Sequence, residues 1–290
     1  MVGIFMKALT KRRVTAPLLS AAPFMIETAF TVFIMVIFAA IFGSIPENDP
    51  FHLFVTASSG IISCLCACSL VKNVSAVRFK DVLKFSNFDF SVPIILTLFT
   101  FAAGEIFDQI DGLLLSDFIT VEPNRNTEFG LYGVIMTVVC APIFEEILFR
   151  FCCCELGRGA YKAPVMCMVS GAFFAAVHLY NIQGTVNVFI GGICAAYVYC
   201  KTRNILYTML EHAIHNAVCF IPYDSFVYYE KNGFILSRWW WLALNAVIFA
   251  LCLVWYLKVF RKKYTENYFE VNSETGLPYS EESSVQFAAV

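Results

Sequence analysis

Apolar residues recur along this chain in runs of roughly 18 or more, separated by short polar stretches, over most of its length. A run of that length matches one helical crossing of a bilayer's hydrocarbon core, whereas soluble cores need only shorter amphipathic stripes. The pattern predicts spans over about 16–42, 51–71, 91–107, 129–155, 163–180, 184–200, 205–222 and 239–260. The expected fold class is all-α, a polytopic transmembrane helical bundle of about eight spans.

The polar stretches between the runs differ in sign. Lys7, Lys11, Arg12 and Arg13 precede the first run, which is too long for a cleaved signal core and reads as a retained signal anchor. Basic residues follow the second run (Lys72, Arg78, Lys80, Lys84), the fourth (Arg158, Lys162), the sixth (Lys201, Arg203) and the eighth (Arg261, Lys262, Lys263). Loops after the first, third and seventh are acidic; the one after the third holds Asp108, Asp111, Asp117, Glu122 and Glu128, and its "IDGLLLSDFI" portion reads as an amphipathic surface piece. One orientation satisfies every biased loop, with both termini cytoplasmic. Trp239, Trp240 and Trp241 then fall at the outer interface, where indole rings settle. The chain divides into residues 1–128 (three helices and a linker), 129–222, 223–260 (outer loop and last helix) and a polar tail over 261–290.

Composition sharpens this picture. Apolar residues make up 59% of the 290-residue chain and charged residues 14%, well below the ~25% of soluble domains. Net charge is -2, so nothing favours nucleic acid as a partner, and membrane lipid is the expected one. Twelve cysteines sit almost entirely in apolar runs, among them Cys64, Cys66, Cys68, Cys152, Cys153, Cys154, Cys194, Cys219 and Cys252. They read as small helix-packing hydrophobes, not as a disulfide framework.

Against this background, ionisable side chains within the runs stand out, since each costs roughly 2.5–3.5 kcal/mol on insertion scales. The fourth run carries "APIFEEILFRF", in which Glu146 and Arg150 share a helix face and can pair, while Glu145 points about 100° away. One carboxylate is thereby braced and the other left free to act as a base. The fifth run ends in "FFAAVHLYN", with Phe174 and His178 four apart. The seventh carries "EHAIHNAV", in which His212 and Asn216 project from one face and can donate hydrogen bonds to a common point, as an oxyanion requires. His212 and His215 also carry the i,i+3 spacing of helical metal ligands; no HExxH occurs. Glu27 and Asn245 read as interhelical hydrogen-bonding residues.

EExxxR, FxxxH and HxxxN, in that order on separate helices, resemble the CAAX protease and bacteriocin-processing family of intramembrane glutamic proteases, the type II CAAX prenyl endopeptidases. The resemblance covers about 129–221, the later half of the chain, and does not extend to the first three spans or the tail. Family members often have Trp after the motif's proline, where this chain has Ile143. The resemblance implies that Glu145 activates a water held with His178, and that His212 and Asn216 stabilise the oxyanion. Glu146 and Arg150 would brace the site, Phe174 would pack beneath His178, and no cofactor or metal would be needed. The implied protein is an integral, multi-pass membrane endopeptidase (plasma membrane in a bacterium) cutting near the C-terminus of a lipidated or membrane-associated substrate. A transporter lining a cavity with these polar residues, or a non-catalytic immunity or scaffold protein on the same fold, are the alternatives.

Overall fold

The computed structural model of the chain describes residues 2–43, 50–114, 131–158, 161–178, 185–219 and 235–264. Among them all regular structure is helical. Eight rods follow one another: α1 (Val2–Phe42), α2 (Pro50–Ser75), α3 (Ser91–Leu114), α4, α5 (Ala163–Val177), α6 (Thr185–Thr202), α7 (Ile205–Cys219) and α8. Rod α4 runs without a break through Leu131–Ile135, Met136–Cys140, Ala141–Glu146, Ile147–Cys152 and Cys153–Gly157. Rod α8 joins Ile235–Trp255, Tyr256–Phe260 and Arg261–Lys263 in the same way.

The eight rods overlap the apolar runs, α1 starting earlier than expected, at Val2, so that Lys7, Lys11, Arg12 and Arg13 are helical; two further differences stand out. Helix α3 continues to Leu114, so the first five residues of the expected surface piece extend the helix. The remainder of that piece, the acidic residues after it and residues 265–290 of the polar tail lie outside the described residues, while Arg261, Lys262 and Lys263 of the expected tail continue α8. The second difference is inside α4, where Met136–Cys140 and Ile147–Cys152 form π-turns on either side of the Glu145–Glu146 pair. Pro142 has no N–H to give to the preceding turn, and widening that turn relieves the ring's clash with it. A π-turn interrupts the i,i+4 ladder and frees carbonyls, and two of these are taken up by side chains of other helices. Ser170 of α5 donates to Phe149 O at 2.6 Å, and Asn216 of α7 donates to Thr137 O at 2.8 Å.

Among the described residues, three helices have the length and hydropathy to cross a membrane: Leu18–Ile41, Phe54–Ser75 and Trp239–Lys263, with mean hydropathy 2.3, 1.9 and 2.1. Ser91–Phe107 and Ala163–Val177 are apolar but shorter. The faces of α1 and α8 that carry Leu18, Phe33, Val36, Val247, Leu251 and Val254 are exposed, as lipid-facing surfaces are. The buried core lies instead around α4, with Phe149, Phe151, Cys152, Cys153, Cys154 and Leu156 in contact with α2, α5 and α6. The described cysteines are free thiols placed along the helices, and the triple run is wholly buried.

Helices α5 and α6 cross most closely at glycine. A Cβ on Gly192 would lie 2.9 Å from Gly171 Cα and 3.3 Å from Phe174 Cδ1. Between α1 and α2, Thr31 donates to Ser59 Oγ at 2.8 Å and Ser63 donates to Pro23 O at 2.8 Å. Glu27 lies beside Ser63 of α2. Asn245 differs from expectation: its amide donates to Trp241 O of its own helix at 2.9 Å, and its Oδ1 is buried without a partner. Trp241 reaches out of α8 instead, donating to Glu105 Oε2 of α3 at 2.6 Å.

The ends of α2, α4, α6 and α8, where the basic stretches fall, meet on one side of the molecule. Ser75 donates to Glu155 O at 2.8 Å, and Lys84 and Asn204 exchange two hydrogen bonds at 3.2 and 2.8 Å. Lys263 donates to Asp89 Oδ2 at 2.7 Å. Buried Glu155 anchors this side: Tyr199 donates to it at 2.9 Å, Arg203 grips both oxygens at 3.1 and 3.2 Å, and Arg158 stands 3.6 Å away.

Candidate active site

Three rods bring the polar motifs together. The Glu145–Glu146 step of α4 sits between the two π-turns, so both carboxylates leave the rod where its winding changes. Glu146 turns inward and is fully buried. Its Oε2 lies 3.1 Å from Arg150 Nε, and its Oε1 lies 3.0 Å from His212 Nδ1. The Arg150 N–H is not aimed along a hydrogen-bond line, so that first contact is a charge pair. The expected i,i+4 pairing of Glu146 and Arg150 is therefore present, although it runs across a π-turn. The Arg150 guanidinium also lies on the Phe174 ring, 4.4 Å from its centroid.

Glu145, about a quarter exposed, faces the two other motifs. Its Oε2 lies 3.9 Å from His178 Nε2 and 3.8 Å from His212 Nε2, and makes no direct hydrogen bond. These separations exceed a direct hydrogen bond. The other nitrogen of each ring is held from behind. His178 Nδ1 is 2.7 Å from Phe174 O, and a carbonyl only accepts, so that nitrogen carries the proton. His212 Nδ1 likewise gives its proton to the Glu146 carboxylate. Both rings thus point Nε2 at the same carboxylate oxygen.

Phe174 fills the space beneath this arrangement. Its ring is 4.6 Å from the His178 ring and 5.7 Å, edge to face, from that of His212; Phe149 closes the far side at 5.4 Å. His178 occupies the C-terminal cap of α5, where the helix has just ended. Asn216 lies one turn beyond His212 on α7, with one amide hydrogen committed to Thr137 O. His215 is half-buried next to them. No group of three or more His, Cys, Asp or Glu side chains is arranged to hold a metal ion among the described residues.

Two features of the site were not expected from sequence. One is the pair of π-turns, for which Pro142 is the only local signal. The other is Glu211, adjacent to His212, which is buried against Thr100 of α3 and receives no role in the motif reading.

Residues 127–218 match the family described as type II CAAX prenyl endopeptidase Rce1-like. The matched stretch contains α4 to α7 and every residue of the three motifs, and leaves α1, α2, α3 and α8 outside it. No curated protein and no solved structure matches the chain.

Proposed function

We propose that this chain, whose residues 127–218 match the Rce1-like prenyl endopeptidase family, is an intramembrane glutamic endopeptidase acting near the C-terminus of a lipidated or membrane-associated substrate. The supporting observation is the convergence of His178 Nε2 and His212 Nε2 on Glu145 Oε2, at 3.9 and 3.8 Å, and the reading assigns an attacking water to these three groups.

In this reading His178, neutral and protonated on Nδ1, accepts a hydrogen bond from the water through Nε2 and orients it. Glu145 takes the water's proton as its oxygen attacks the scissile carbonyl. In its doubly protonated form His212 keeps its Nδ1–H on Glu146 and carries a second N–H on Nε2. It therefore offers an Nε2–H to the developing oxyanion, and the uncommitted amide hydrogen of Asn216 offers a second donor. Glu145 then returns the proton to the leaving nitrogen as the C–N bond breaks, so the cycle needs no outside proton. Glu146, Arg150 and Phe174 hold the two imidazoles in place.

The test is cleavage of a mixture of prenylated and unmodified membrane peptides by the purified chain, followed by mass spectrometry. Glu145→Gln should abolish cleavage, with a loss of at least about 10²-fold for a general base. Cleavage that survives the substitution would remove Glu145 from the mechanism.

A further inference from the structure

Glu211 lies one residue from His212, yet its carboxyl turns away from the gap that Glu145 faces and towards α3. The residue is 7% exposed, and among the described residues its carboxyl makes one hydrogen bond, to Thr100 Oγ1 at 3.0 Å. The Thr100 hydroxyl is also 3.0 Å from Leu96 O and 3.2 Å from Thr97 O. A threonine in a helix commonly gives its proton to such a carbonyl one turn back. It has one proton, and with an ionised Glu211 all three neighbours would be acceptors competing for it. At least one close oxygen pair would then have no hydrogen between its atoms. A protonated Glu211 resolves the geometry: its O–H donates to Thr100 Oγ1, and Thr100 donates onward to Leu96 O.

The surroundings point the same way. Glu146 and Arg150 of α4 face Glu211, with Cys194 of α6, Thr100 of α3 and His212 on its own helix. Arg150 is already committed to Glu146, and His212, the other cation in reach, is shared between Glu145 and Glu146, so a third full negative charge here would have no cation of its own. Helix α7 is then held on two faces. His212 is tied to Glu146 and Asn216 to Thr137 on the side of α4, and Glu211 is tied to Thr100 about 100° around from His212. Loss of the α3 tie frees α7 to rotate and swings the His212 ring away from Glu145.

We infer that Glu211 is a positioning residue: a neutral carboxylic acid that donates a hydrogen bond to Thr100 and thereby fixes His212 opposite Glu145. This rests on the reading of His212 as part of a proteolytic site, but the protonated acid can be tested apart from proteolysis. Infrared difference spectra of the full chain in detergent, wild type minus Glu211→Gln, should contain the C=O stretch of a protonated carboxyl. A carboxylate pair of bands in its place overturns the inference, whether or not any peptide is cut. In the cleavage assay, Glu211→Met and Thr100→Val should each lower kcat about tenfold with KM unchanged, as expected when a catalytic group is displaced. Glu211→Gln and Thr100→Ser, which keep a donor and a hydroxyl, should stay within about twofold of wild type. Unchanged kcat in both Glu211→Met and Thr100→Val, or a Gln variant as slow as Met, overturns the positioning role. A wild type that cuts nothing defeats the protease reading alone, and the infrared result still decides the state of Glu211.

Discussion

The Arg150 guanidinium lies 4.4 Å from the centroid of the Phe174 ring, so a buried cation on an aromatic face joins the first polar motif to the second. The same ring contacts both imidazoles of the site, at 4.6 Å to His178 and 5.7 Å to His212. Phe174 is therefore more than filler beneath one histidine. It transmits the placement of the Glu146–Arg150 pair to the two rings that face Glu145.

Replacing Phe174 with leucine keeps most of the volume and removes the ring face. A desolvated cation–π contact is worth about 2 kcal/mol, and its loss also lets both imidazoles shift. Phe174→Leu should lower kcat by about tenfold and lower the thermal midpoint in detergent. A variant that cleaves at the wild-type rate would reduce the ring to a space-filling role.

Glu146 and Arg150 form a buried pair with side-chain exposures of 1% and 2%, so the cost of removing one partner is the charge left behind. Glu146→Leu and Arg150→Met should each destabilise the chain by about 3–5 kcal/mol, while the double variant should cost clearly less than the sum. Thermal unfolding in one detergent measures all three. Additive losses would mean that the two charges stabilise the fold separately. All three variants should be inactive, because His212 Nδ1 loses its acceptor or that acceptor loses its counter-ion.

The helical class and the positions of the eight rods were legible in the sequence because long apolar runs fold as helices, which satisfy their own backbone groups. The pairing of Glu146 with Arg150 was legible for the same reason, from four-residue spacing on one face. The π-turns were not, since the periodicity of α4 changes by one residue over five or six and apolar side chains surround it on most sides. Long-range ties were also hidden. Nothing in the text of the chain places Thr100 against Glu211, or Trp241 against Glu105, because each pair depends on which helices become neighbours. Arg158 and Arg203 read as loop charges that orient the chain, and they do lie on the side of the basic loops. Their partner, however, is a buried carboxylate, Glu155, which the motif reading did not single out.

The start of α3 is fastened by Asp89. Its carboxylate accepts from Ser91 N and Oγ at 3.0 and 2.6 Å and from Lys263 at 2.7 Å, and its own N–H donates to the Tyr207 hydroxyl at 3.1 Å. Partial burial acts to raise its pKa, but the bonds from Lys263 and Ser91 outweigh this and hold the carboxyl below its ordinary range. A lowered carboxylate stabilises the fold above its unfolded pKa, and that contribution disappears as pH falls through the folded value. Asp89→Asn should therefore melt below wild type near pH ~7, and the gap should close as the pH is lowered from ~5 towards ~2. A gap that stays constant with pH would show that the carboxylate's charge contributes nothing.

The glycine pair at the crossing of α5 and α6 supplies the last prediction, because it separates packing from chemistry at a distance from the carboxylates. A methyl group on Gly192 would meet Gly171 Cα at 2.9 Å and Phe174 Cδ1 and Cβ at 3.3 and 3.4 Å. The neighbouring Gly191 faces elsewhere, and a methyl group there would meet only Thr100 Cγ2, at an ordinary 4.0 Å. Both substitutions exchange glycine for a better helix former, a gain of up to about 1 kcal/mol where space allows. Gly191→Ala should accordingly match or exceed wild type in thermal midpoint and cleave normally. Gly192→Ala must part the two helices or push Phe174, at an overpacking cost of about 1–3 kcal/mol, and the displaced ring carries His178 and His212 with it. Its kcat should fall while Gly191→Ala is unaffected. Equal behaviour of the two alanine variants would mean that the crossing yields without moving Phe174, and would detach the helix packing from the geometry of the site.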